Sequence, residues 1–327
     1  MEVHCQGCAG CCLDWRPLLE ADDGRDVGGR GAARSGSSED EQEGRTSRRV
    51  PLDGDYNFVA LTRDEVRAFL ESGAAPALTP RFWRVDDERE GVEIDGHRVA
   101  AVAGRPTFFV GLRKPPKPVA PFGREEPAWL PTCVFLDPTT LQCRIHDSDR
   151  FPDECGAYPE HNLALEQETE CERVESQFGG ERLLEAGHDD PEGLLLGPQA
   201  LGAKLFCHPR PDDLEGIVDR LAAGELTPAD RAECLAVAAA SSPGTLATSP
   251  HHYERGYERA LQTLEGSEDA AAGDSATVED GEWVGPAIDE WHRRRAAAGG
   301  TVPSPSIART VEERRGAPET PGWDALE

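Results

Sequence analysis

The chain has 327 residues and a formal net charge of -28, from 62 acidic residues against 34 Lys and Arg, and only 6% of it is aromatic. So acidic a surface argues against nucleic acid and anionic membranes as partners, and no stretch nears the roughly 18 apolar residues of a spanning helix. Lys114, Lys117 and Lys204 are the only lysines; the other cations of this kind are arginines. Abundant carboxylate with almost no lysine is expected of a halophilic, cytoplasmic protein, because molar salt shortens the Debye length to about 3 Å and screens the self-repulsion of such a surface.

In chain order, the first element is a cluster of thiols: Cys5, Cys8, Cys11 and Cys12, spaced C-x2-C-x2-C-C. A C-x2-C unit can turn two thiolates toward one metal ion. Adjacent Cys11 and Cys12 cannot easily aim both sulfurs at one ion, so they are expected to serve two neighbouring metals or to leave one reactive thiol. A disulfide framework belongs to short secreted chains, and residues 1–10 hold no apolar signal-peptide core. Reduced, clustered thiols in a cytosolic setting point to metal or redox chemistry.

Residues 22–49 contain almost no large apolar side chains and are expected to form a disordered insertion. Order resumes near Tyr56. Leu61-Thr62-Arg63-Asp64-Glu65-Val66 reads as a helix start, with Thr62 as N-cap, Glu65 completing a capping box, Leu61 packing on Val66, and Gly73 ending the helix. Residues 92–102 read as a β-hairpin turning at Asp95-Gly96, with His97 as an exposed hairpin histidine, and Phe108–Leu112 as a further strand. A second cysteine group, Cys133, Cys143, Cys155 and Cys171, lies among turns punctuated by Pro131, Pro138, Pro152 and Pro159. Residues 193–265 turn helical. Leu214, Ile217, Val218 and Leu221 share one face, Thr227-Pro228 opens a helix, and Tyr253, Tyr257, Leu261 and Leu264 form another stripe. Isolated Cys207 and Cys234 read as core residues. Residues 266–327 read as a mostly disordered acidic tail. Its Trp283, Trp291 and Trp323 either serve a protein partner, around Trp283 and Trp291 above all, or lie back on the chain's own domain.

The second group runs Cys133-Val-Phe-Leu, Cys143-Arg-Ile-His146, Pro152-Asp-Glu-Cys155-Gly-Ala-Tyr158-Pro159 and Glu170-Cys171. With Cys5-x2-Cys8-x2-Cys11-Cys12 it resembles the zinc- or iron-chelating cysteine-cluster family, the CxxCxxCC or YkgJ-like proteins. The likeness covers Cys5 to about Gly180 and includes Leu-Thr-x-x-Glu at Leu61 to Glu65. His146 stands where that family usually carries tyrosine, which makes it a candidate auxiliary ligand, and the spacing from Cys143 to Cys155 is slightly longer. The resemblance implies a chelating domain with Cys5, Cys8, Cys11, Cys12, Cys133, Cys143, Cys155 and Cys171 as metal ligands. Some relatives in that family are flagellin lysine N-methylases.

Eight thiolates suit two closed four-thiolate zinc sites, or an iron–sulfur cluster with thiols to spare. The CC pair sits badly in a simple zinc knuckle, which tilts the expectation toward iron. No dinucleotide or phosphate-binding fingerprint is present, and no catalytic arrangement stands out. The expected fold class is α+β: a small irregular cysteine-rich metal-binding domain (1–180) with a capped helix and a β-hairpin, then a small helical region (193–265) and a disordered acidic tail (266–327). The expected function is metal chelation, iron–sulfur or zinc, in a structural or metal-handling role. The alternative is an iron–sulfur-dependent enzyme, lysine N-methylase-like or redox.

Overall fold

A computed structural model describes residues 1–22, 49–188, 200–269 and 281–325. The insertion expected at 22–49 therefore lies, apart from its two ends, outside the described residues. The scaffold is an antiparallel sheet in the order Phe206–Cys207, Arg105–Leu112, Leu78–Arg84, His97–Val102, Gly91–Ile94. Val50–Pro51 pairs with the outer end of Leu78–Arg84. The hairpin forms as expected: Ile94 pairs with His97, and Asp95 and Gly96 sit at φ 53° and 75°, the left-handed pair that a two-residue turn needs. Its neighbour Leu78–Arg84 contains Pro80 opposite Val110. Phe82 and Phe108 stack on each other at 5.2 Å, and both are fully buried.

The helix Arg63–Glu71 starts at Thr62, whose side chain accepts from the Glu65 N–H while the Glu65 carboxylate takes the Thr62 N–H. Leu61, Val66 and Phe69 are fully buried beneath it. Helices Pro228–Ala240 and Pro250–Asp269 pack closely, because Gly256 brings its backbone to where an added Cβ would lie 3.3 Å from Ala236 Cα. They are joined to the first helix through its carbonyl end. Arg67 donates to the Ala239 carbonyl at 2.7 Å, and Arg259 donates to the carbonyls of Leu70 and Glu71.

Two expectations need correction. The cysteine segment is not a small irregular domain. It shares one hydrophobic core with the sheet, the helices and the C-terminal residues, so the α+β class holds at a much larger scale. Nor are the residues after 280 a disordered tail. They form the helix Val284–Ala297 and four shorter helical elements up to residue 325. Trp283 packs edge-on against Phe135 and Trp291 against Trp129, both indoles buried in this chain. Composition misled here because a few large side chains, spaced along a Gly/Ala/Pro-rich stretch, suffice to dock it. No helix among the described residues is long and apolar enough to cross a membrane.

Candidate thiol centre

The N-terminal thiols sit on a chain of tight turns. The Cys8 N–H donates to the Cys5 carbonyl at 3.0 Å and the Cys12 N–H to the Ala9 carbonyl at 2.9 Å, with Gly7 and Ala9 both at positive φ. Neighbours hold the turns in place. Asn57 donates its amide to the Gly10 carbonyl at 2.9 Å, and the Phe122 N–H donates to the Gly7 carbonyl at 2.7 Å. Gly10 is required by packing, since a Cβ there would stand 2.8 Å from a Val174 methyl. That valine belongs to the helix Glu170–Phe178, which carries Cys171.

The second group is delivered by longer-range structure. The Cys133 N–H donates to the Cys12 carbonyl at 2.7 Å, and Leu13 bridges to Thr132, so the two sequence clusters meet backbone to backbone. Cys143 is bridged to Leu136 across a turn in which Leu141 takes positive φ. Cys155 lies on the short helix Asp153–Ala157, whose Asp153 N–H donates to Glu65 Oε1 at 2.8 Å. The Leu-Thr-x-x-Glu element therefore caps its own helix with one carboxylate oxygen and the Cys155 helix with the other. Tyr158 accepts from the Glu170 N–H through its hydroxyl, which links the Cys155 element to Cys171. The Glu170 carboxylate is itself buried, accepting from Trp15 Nε1 and from the Tyr56 hydroxyl at 3.1 Å.

All eight cysteines are reduced and fall into two overlapping electrostatic neighbourhoods. Burial, and then the charge of Cys11 and Cys8, pushes Cys5 up to about 11. Burial likewise pushes Cys171 up to about 12, with Cys11, Cys8 and Cys5 adding to it. On the other side, burial pushes Cys143 up to about 12, with Cys133 and Cys11 adding to it, and raises Cys155 well above the usual thiol value, where Cys133, Cys11 and Cys143 all oppose its charge. Burial also raises Cys133 and Cys8. Cys11 is common to both neighbourhoods. Its 3.8 Å contact with Cys12 Sγ holds Cys11 below and Cys12 well above the usual value.

Positive groups surround this thiol set. Arg182 Nε donates to Cys8 Sγ at 3.1 Å. The Lys114 ammonium is bound by the Tyr56 and Asn57 carbonyls. Burial disfavours its charge, while Cys133, Cys12 and Asp55 favour it. The fully buried Lys117 ammonium is bound by the Val134 and Leu136 carbonyls and lies within reach of Cys133 and Cys143. Lys204 pairs with Glu154, beside Cys155. Each of the three lysines thus serves this region. Their rarity in the sequence was the signal that could have singled them out; Glu170, Asn57 and Arg182 had none.

The thiols are neighbours rather than a finished cage: among the described residues no three His, Cys, Asp or Glu side chains form a group that could hold a metal ion. His146 stands apart from them, largely exposed, with Nδ1 on Asp147 and its ring on Phe151. Cys234 is fully buried in the helix Pro228–Ala240, and Cys207 is half-buried on the sheet, opposite Thr107.

No curated protein and no solved structure matches the chain. A family described only as one of unknown function, DUF7531, matches residues 1–324, and the chain belongs to it.

Proposed function

We propose that the protein binds metal through its eight clustered cysteines and serves a structural or metal-handling role. The observation that carries this reading is the Cys133 N–H on the Cys12 carbonyl, by which the fold sets the two distant thiol clusters side by side. The chemistry of the donors, though not a closed cage, suits a thiophilic metal: eight reduced thiols, a guanidinium on Cys8 and two lysines beneath. N–H and ammonium groups of this kind stabilise thiolates and offset the negative charge of a metal–thiolate site. A bound cation supplies the charge that crowded thiolates lack, and iron would add one-electron chemistry. Iron, as an iron–sulfur cluster, is preferred over zinc because Cys11 is shared between the two neighbourhoods and adjoins Cys12, an awkward arrangement for two separate tetrahedral sites. The role of the protein's own residues is positional. Glu65 fixes the Cys155 helix, Tyr158 and Glu170 fix Cys171, and Asn57 fixes the turn that carries Cys11. The acidic, lysine-poor composition supports a cytoplasmic setting at high salt.

The test is metal analysis and a visible spectrum on protein purified without oxygen. Iron with visible charge-transfer absorption, or zinc in a colourless protein, is the expected result, with the content falling in Cys12→Ser and in Cys155→Ser. Metal-free wild-type protein, or variants as fully loaded as the wild type, would overturn the reading.

A further inference from the structure

A cleft of about 390 Å³, with no cysteine in its lining, opens between the loop at Asp53 to Asp55, the Arg113–Pro115 segment, the end of the helix Ile217–Ala223, and Arg231. Its volume is that of a small-molecule site. One wall is apolar, formed by Leu221, Ala222 and Leu226. The others carry Arg113, Lys114 and Arg231, with exposed His292 nearby on the C-terminal helix. In a chain of net charge -28, this gathering of cations needs an explanation.

Two of the four neighbouring carboxylates are engaged elsewhere. Asp53 is held by Arg81 at 2.9 Å, and Asp230 by Arg220 at 2.7 and 2.6 Å. Asp55 and Asp289 face both cleft arginines, but burial and then Asp53 work against the charge of Asp55. The Arg113 guanidinium donates one hydrogen bond, to the Pro76 carbonyl at 3.1 Å. Arg231 Nη1 is buried and has no hydrogen-bond partner among the described residues. Burial, and then repulsion from Arg231, disfavours the charge on Arg113. Two neighbouring guanidiniums with an unsatisfied buried donor are costly unless an oxyanion accepts from them, which the planar fork of arginine does bidentately.

We propose that this cleft binds a small organic anion, its oxyanion head on Arg113 and Arg231 and its short apolar body against Leu221 and Leu226. Lys114 links the cleft to the thiols, since it lines the one and lies within electrostatic reach of Cys133, Cys12 and Cys11. A ligand here would therefore sit beside the cysteine centre without touching it.

The experiment is calorimetric titration of the full chain with inorganic phosphate and, separately, with butyrate, at fixed KCl and constant ionic strength. Saturable binding of phosphate alone identifies a phosphoryl head, and of butyrate alone a carboxylate head. Arg231→Gln should weaken the bound probe by about tenfold or more, the loss expected for one charged hydrogen bond. Ala223→Trp, at an exposed position on the cleft wall, should block the site without altering its charge or disturbing the core. Failure of wild-type protein to bind either probe saturably, or wild-type affinity in both variants, would overturn the proposal.

Discussion

The thiol centre and the cluster around Glu312 are both buried and both rich in ionisable groups, yet they are built on opposite principles. Glu312 is fully buried, and its carboxylate meets the Lys117 ammonium at 2.6 Å, Arg144 Nε at 3.0 Å and Trp291 Nε1 at 2.9 Å. Each charge there has an opposite partner supplied by the fold. At the thiol centre the groups are alike, and ionising one opposes ionising the next. A cluster whose charges are paired within the fold, as Arg144 is by Glu312 and by Asp137 at 3.1 Å, needs no further ion. A cluster of like groups is stable only while protonated or while a cation joins it. Lys117 belongs to both, bonding Glu312 and lying under Cys133.

The comparison breaks most visibly at Glu312. Glu312→Ala leaves Lys117 and Arg144 buried without their carboxylate and should lower the unfolding free energy by about 3–5 kcal/mol in denaturant titration. A loss no larger than a surface substitution gives would mean the cluster is not closed in the sense described. At the thiol centre the corresponding probe is steric. Gly10→Ala drives a methyl into Val174, and overpacking of this kind should destabilise by about 1–3 kcal/mol. It should also lower metal content under anaerobic purification, because Cys8, Cys11 and Cys12 ride on that turn. Unchanged stability and loading would show that the turn yields freely. Potassium chloride sharpens the contrast with the smallest effect per group. The thermal midpoint of wild-type protein should rise steadily from dilute to molar KCl as surface repulsion is screened. The stability gap between wild type and Glu312→Ala should stay constant over the same range, since buried pairs are little screened. A flat midpoint would remove the case for a high-salt setting.

Local chemistry was the legible part of this sequence. Thr62 with Glu65 and Asp95 with Gly96 each fix a few dihedrals by contacts within four residues, and both formed as read. The strand Leu78–Arg84 was not legible, because Pro80 argues against an inner position that only its partners Val110 and Phe108 reveal. The helix carrying Cys171 has a local signal of its own in the sequence, the capping box of Thr169 and Glu172. At the centre itself the thiols were legible from spacing, but their surroundings were not. Nothing near Glu170 in sequence points to Trp15 or Tyr56, and nothing near Arg182 points to Cys8. That Trp283 and Trp291 lie back on the chain was one of two readings the sequence left open, but their receiving surface, Phe135 and Trp129, was hidden because it lies far upstream.

Glu65 has a mechanical consequence. Its two carboxylate oxygens hold the starts of two helices at once, its own and that of Cys155. The far end of its own helix is gripped by Arg259, and Arg67 on the same helix grips Ala239. The Cys155 thiol is thus geared to the helical layer through one rigid rod with fixed couplings at both ends. If that thiol were drawn toward a ligand, the displacement would pass along the rod to the paired helices, and their packing would resist it in return.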